Sequence, residues 1–392
     1  AMTDVVIVEA VRSAVGKRNG TLAHTHPADI LGPVQMECLS RAGITSGDVD
    51  QVVGGCIDQV GAQGMNITRT AWLSHGGDQT TACSTVDSQC GSSQHAVNLA
   101  FSLIASGAED TVLACGVESM SMVPLAANVM NGPGKPVSRS YFRNYEFTSQ
   151  FEGAERIATA YGISRRDTDE VGLQSQLRAA TAQHEGRFET QIVPIDAVVV
   201  DEHGKRTGET VEFSLDEVPR DTSLEALAAL NPVARTDGIH TAGTSSQIAD
   251  GAAAVLLMSA GKATELGLKP MARVTQTALV GCDPVLMLEG PIPATERVLE
   301  REGITIDDID VFEVNEAFAS VVIAWQRTVG ADPAKANPNG GAIALGHPLG
   351  GTGCILTTKA VHELQRTDGD YGLVSMCCGG GLGTGTLIQR VA

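Results

Sequence analysis

Apolar positions along the chain gather into short runs separated by helical stretches, the pattern of buried strands joined by helices. The runs at 51–55, 111–116, 311–315 and 372–377 predict strands, and the stretches 92–105 and 351–364 predict helices before the second and fourth of them. Two ten-residue segments, 41–50 and 301–310, align without gaps. In each, the pattern predicts a helix ending at a glycine (Gly43, Gly303), a short turn, and a strand starting after the last aspartate (Asp50, Asp310). Downstream, each half repeats a small-residue turn, a helix and an apolar strand, the first from Cys90 and the second from His347. Two like halves would pack about a pseudo-twofold axis, with parallel, buried sheets. Cys90 and His347 would then face each other from equivalent helix starts.

The region 119–244 breaks the repeat. It carries Pro124, Pro133 and Pro136, a dense Ser/Arg/Tyr/Phe stretch at 138–151 and a helical pattern over 167–188. We read it as a long insertion in the first half, a lid or cofactor-binding subdomain, with 245–258 returning to the core through a helix and a strand. The predicted division is an N-terminal half from 2–118 and 245–268, the insertion 119–244, and a C-terminal half from 269–392.

Composition narrows the class. In 392 residues, 43% are apolar, only 4% are aromatic and 44 are glycine, which fits an α/β protein with close helix–sheet packing. A formal charge of −19 argues against nucleic acid as a partner and requires any anionic ligand to be held locally. Nine cysteines form neither a paired disulfide framework nor a zinc-ligand spacing, so no metal is expected and a reducing, cytoplasmic setting is. No apolar stretch reaches membrane-spanning length.

Three segments carry candidate chemistry. Cys90 precedes Gly91 and a predicted helix, whose positive end would lower the thiol pKa. His347 lies among Gly340, Gly341, Gly346, Gly350, Gly351 and Gly353, and an imidazole is the natural base for a thiol. Cys377 and Cys378 end a predicted strand, where successive side chains point to opposite faces, so one of the two enters the pocket and the pattern does not say which. The glycines after them could offer backbone N–H groups to an oxyanion. Asn315 either presents its amide to the pocket or caps a helix. A nucleophilic cysteine, a histidine and a second cysteine point to acyl transfer through a thioester.

The blocks Thr85–Ser92, Asn315–Ala319, Asn339–Gly350 and Cys377–Gly381 resemble the four signature blocks of thiolases, and the resemblance extends over essentially the whole chain. It implies a thiolase fold of two βαβαβαββ halves in a five-layer αβαβα arrangement with an inserted loop domain. It also implies that Cys90, activated by His347, attacks a 3-ketoacyl-CoA, and that Cys377 rather than Cys378 moves the protons. A water held by Asn315 and His347 would form one oxyanion hole, and the N–H groups of Cys90 and Gly379 the other. CoA would be a co-substrate with no tightly bound cofactor. Its contacts would fall at Arg220 and Ser246, and at Ala317 and Phe318 within the Asn315 block. A homodimer or homotetramer is implied, with tetramer contacts in the insertion.

Asp87 stands where the family more usually has asparagine, and Ser149 and Gln150 stand near positions that often carry histidine and methionine. The Asp87/Gln89 block and the segments 150–156 and 239–247 are closer to actinobacterial thiolases that shorten steroid side chains. The expectation is a degradative enzyme with a bulky acyl pocket. The alternatives are a short-chain acetoacetyl-CoA thiolase and, further off, a non-catalytic acyl-CoA or lipid carrier on the same scaffold.

Overall fold

The duplicated segments fold alike down to single hydrogen bonds in the computed structural model, which describes residues 2–392. Gly43 (φ 82°) and Gly303 (φ 74°) end their helices in the left-handed region, which a side chain would strain. Asp48 and Asp308 each accept the N–H three residues back, from Thr45 and Thr305, at 2.8 Å. Asp50 takes the N–H groups of Asp110 and Thr111, and Asp310 takes those of Asp370 and Tyr371. Each aspartate thereby fixes the start of a strand about 60 residues further along.

The first half contributes strands β1 (Val5–Ser13), β2 (Gln51–Gly55), β3 (Ala82–Val86), β4 (Thr111–Ser119) and β5 (Ala249–Ser259). The second contributes β6 (Ala272–Gly281), β7 (Ile309–Val314), β8 (Tyr371–Cys378) and β9 (Leu382–Arg390). They are hydrogen-bonded in the order β3-β2-β4-β5-β1-β6-β9-β8-β7. The predicted strands pair in parallel within each half (β2/β4 and β7/β8), with β3, which was not predicted, parallel to β2, whereas β5, β1, β6 and β9 join antiparallel. The halves correspond, except that a lone parallel bridge from Phe312 to Ala336 stands where the fifth strand of the second half would lie. They meet where β1 and β6 pair antiparallel, Val5 opposite Val274 and Ile7 opposite Ala272, as a twofold relation requires.

The labelled helices are α1 (Pro27–Ala42), α2 (Ile67–Ser74), α3 (Ser92–Ala105), α4 (Gln150–Ala160), α5 (Arg165–His184), α6 (Pro291–Glu302), α7 (Ala319–Val329) and α8 (Thr352–Thr367). Helices α1 and α2 cover the outer face of the first half, and α6 and α7 that of the second. Between the sheets lie α3 and α8, the middle of five layers. Strand alternation sorts the core accordingly. Val112, Val255, Val374 and Ile388 face the middle layer, while their neighbours Leu113, Leu256, Leu373 and Leu387 face outward. The middle helices touch near their N-termini: the Cys354 N–H donates to Ser93 Oγ at 2.8 Å, and a Cβ on Gly353 would lie 2.1 Å from the Gln94 nitrogen. Only glycine permits that approach.

Between β4 and β5 the chain builds α4, α5 and a hairpin of Ile195–Val200 with Arg206–Phe213. The helix expected over 167–188 is α5, shifted toward the N-terminus. The helix expected at the start of 245–258 is absent. The Ser246 and Gln247 N–H groups donate to the carbonyls of Ala317 and Ala342, so the segment runs extended into β5. Among the described residues no helix is long and apolar enough to cross a membrane.

Candidate active site

Strand β3, a tight turn and helix α3 set Cys90. Gln89, just before it, has φ 55°, a left-handed conformation that strains a side chain. Ser92 Oγ accepts the Ser88 N–H at 2.9 Å, and Asp87 Oδ1 accepts the Gln89 N–H at 2.8 Å. An asparagine oxygen could make that last bond equally, so Asp87 keeps the turn while adding negative charge. A Cβ on Gly91 would lie 2.7 Å from Cys378 Sγ and 2.6 Å from Thr384 Cγ2. The glycine therefore lets the end of β8 slide beneath the turn.

The Cys90 thiol does not have the depressed pKa expected of a helix start. Burial pushes it up to about 11, opposed by the N–H groups of Gly379 and of Cys90 itself and aided by the charges of Glu118 and Asp87. Desolvation outweighs the helix end. Burial also drives His347 down to about 4, so both groups are neutral at physiological pH.

The histidine's tautomer follows from its neighbours. Its Nδ1 lies 2.5 Å from Thr352 Oγ1, and that hydroxyl gives its one proton to the Pro348 carbonyl at 3.0 Å. The Thr352 oxygen is thus left to accept Nδ1–H. Asn315 Nδ2, a donor only, lies 3.4 Å from His347 Nε2. Both contacts leave Nε2 with a lone pair, the form that can take a thiol proton. Asn315 does not cap α7, whose N-cap is Phe318, and its Oδ1 is buried without a protein partner.

The cysteine pair divides by face. Cys378 joins Val374 and Met376 toward the middle layer, against Gly91. Cys377 points to the other face, among Ala317, Phe318, Met287 and Leu288. Burial raises both thiols well above their ordinary value, and for each the strongest charge effect comes from Cys90.

A cavity of about 790 Å³ has His347 in its wall. Phe318, Phe151, Met120, Leu349 and Ile248 give it an apolar wall, and Lys17, Arg18 and Arg220 supply cations. Arg220, Ser246 and Phe318 line it, and so does Gln150. Ala317 does not; its carbonyl accepts the Ser246 N–H at 2.9 Å. Cys90, Cys377 and Gly379 are not among the residues that line it.

Two residues escaped the sequence reading. Thr352 lies five positions after His347, and its spacing carried no signal of its own. Glu118 is the lone acid in the all-buried strand β4, which was a usable signal. Its Oε1 accepts N–H groups from Ile57 and Gly350, both at 2.9 Å. Burial raises its pKa against those bonds.

A duplicated five-layer α/β fold with a buried thiol, an imidazole base and N–H donors around the sulfur defines an acyltransferase. The thiolase N-terminal domain family matches residues 5–261, and the thiolase C-terminal domain family matches 268–390. The chain is 43% identical to steroid 3-ketoacyl-CoA thiolase FadA6 of Mycobacterium tuberculosis, over 100% of this chain and 95% of that one. It is 40% identical to a 3-ketoacyl-CoA thiolase of Bacillus subtilis, over 99% and 100%. The solved acetyl-CoA acetyltransferase of Bacillus anthracis superposes with a TM-score of 0.90 at 36% identity, covering both chains in full. The chain belongs to the thiolase family.

Proposed function

We propose that the protein cleaves 3-ketoacyl-CoA with free CoA, releasing acetyl-CoA and a shortened acyl-CoA. The observation that carries this reading is the His347 Nε2 lone pair, held open by Thr352 and Asn315. Cys90 Sγ attacks the C3 carbonyl as its proton passes to Nε2. The C3 oxyanion falls to the N–H groups of Cys90 and Gly379. The C2–C3 bond breaks, and acetyl-CoA leaves as an enolate, its oxygen met by His347 and by a water on Asn315. Cys377 protonates C2, then takes the proton of incoming CoA, whose sulfur displaces the acyl group from Cys90, and the freed Cys90 thiolate takes its proton back from His347.

The favoured acyl group is bulky and steroid-like, and the role degradative. Supporting this are the large apolar cavity and the 43% identity to a thiolase named for steroid substrates. Lys17, Arg18 and Arg220 suit the phosphates of CoA on a chain of charge −19. Nine unpaired cysteines suit the cytoplasm. The exposed Phe142, Tyr145 and Phe147 of the insertion suit contacts in a homo-oligomer.

The test is CoA-dependent cleavage of acetoacetyl-CoA and of a 3-ketoacyl-CoA with a fused-ring acyl end, read as acetyl-CoA released. Preference for the bulky substrate supports the whole reading. Preference for acetoacetyl-CoA moves the enzyme to short-chain metabolism, and cleavage of neither sinks the reaction itself.

A further inference from the structure

The two segments set apart in the sequence, 150–156 and 239–247, meet directly behind the cavity wall. Helix α4 presents Phe151 and Glu155 on one face, a turn apart. Phe151 packs edge-on against Phe318, centroids 5.4 Å apart at 76°. The His240 ring also packs edge-on against Phe318, 5.5 Å away at 82°. Glu155 accepts the N–H groups of Ile239 and His240 and sits 3.1 Å from His240 Nδ1. Burial would raise Glu155, but its bonds to the His240 side chain and to the His240 and Ile239 N–H groups hold it down at about 2. As a carboxylate it only accepts, so Nδ1 carries a proton and the ring's orientation is set. His240 is wholly buried, its Nε2 has no partner, and its carbonyl holds the N–H of Val233, another cavity-lining residue.

A polar ring buried with an unpaired nitrogen is costly where a hydrocarbon would pack freely. Its orientation is the compensating property. We infer that His240, clamped by Glu155, is a positioning residue that with Phe151 fixes the Phe318 ring and so sets the width of the cavity for bulky acyl substrates. His240 touches no reacting atom, and its effect passes through Phe318. The inference rests on the thiolase reading above and names which residues select the acyl chain.

The test measures kcat and KM for acetoacetyl-CoA and for a fused-ring 3-ketoacyl-CoA in three enzymes. His240→Asn keeps a donor for Glu155 and removes the ring. It is expected to raise KM for the bulky substrate about tenfold while leaving kcat/KM for acetoacetyl-CoA within about twofold. His240→Phe keeps a ring beside Phe318 but gives Glu155 no side-chain donor, and is expected to raise KM for the bulky substrate about threefold with acetoacetyl-CoA unchanged. Parallel loss on both substrates in His240→Asn, or an unchanged ratio between them, overturns the inference while leaving the thiolase reading intact. Should the wild type cleave only acetoacetyl-CoA, the bulky-pocket assignment falls and this inference with it. Should it cleave neither, the reaction itself is wrong. If His240→Asn fails to fold, a His240→Phe enzyme with an unchanged ratio between the two substrates overturns the inference on its own.

Discussion

Thr352→Val tests the arrangement that makes His347 a base. The substitution is nearly isosteric and deletes one oxygen at a position 1% exposed, so little else need move. His347 Nδ1–H, now 2.5 Å from that oxygen, would face a methyl group. A buried donor left without a partner costs about 1–3 kcal/mol. The imidazole can avoid this by carrying its proton on Nε2, but that tautomer has no lone pair for the Cys90 proton. Once that tautomer takes over, the competent form lies up to this amount above it, so Cys90 acylation should slow by up to about 5- to 150-fold. The assay is single-turnover acylation by an acyl-CoA, read as CoA released. Thr352→Ser restores the oxygen and should remain within about threefold of wild type. Acylation by Thr352→Val within twofold of wild type, with an unchanged melting temperature, would refute the tautomer argument.

Two further outcomes are expected. With Cys90 at about 11 and His347 at about 4, the resting pair is neutral. Iodoacetamide labelling of Cys90 should therefore climb about tenfold per pH unit from roughly pH 7 to 9, because the thiolate fraction grows in that proportion below the pKa. A plateau below about pH 8 would reveal a resting thiolate and end the neutral-pair account. Separately, Cys377→Ala should still be acylated yet fail at carbon–carbon cleavage, while Cys378→Ala should keep turnover; swapped phenotypes would show that the wrong face of β8 has been assigned.

The repeat was readable because its signals are local. Glycine at a left-handed helix end and aspartate three residues after threonine act within one turn, so residues 41–50 and 301–310 announced their geometry. Cys377 and Cys378 were half legible: period two requires opposite faces, but only the packing of Phe318 and Gly91 says which face belongs to which. The Cys90 thiol misled, since a helix start is visible in sequence and burial by the other half is not. Thr352 and the Glu155–His240 pair were invisible for a related reason. Their meaning lies in contacts across 5 and 85 residues that no local periodicity encodes.

Why the nucleophile and base should come from different halves follows from how the halves are locked. Cys90 enters from the first and His347 from the second, so their separation depends on the packing of one half against the other. Two features remove the slack. Gly353 brings α8 against Gln94 so closely that no side chain fits between them. Glu118 then reaches from β4 to bind Ile57 N–H of the first half and Gly350 N–H of the second, three residues past His347. A carboxylate buried this deeply is expensive, and both N–H bonds fall in the low-dielectric interior where each is strongest. Both residues sit on turns, which alone would drift. Here the thiol–imidazole geometry is a property of the middle layer of the core, so changes that loosen α3 against α8 should cost acylation rate before they cost the fold.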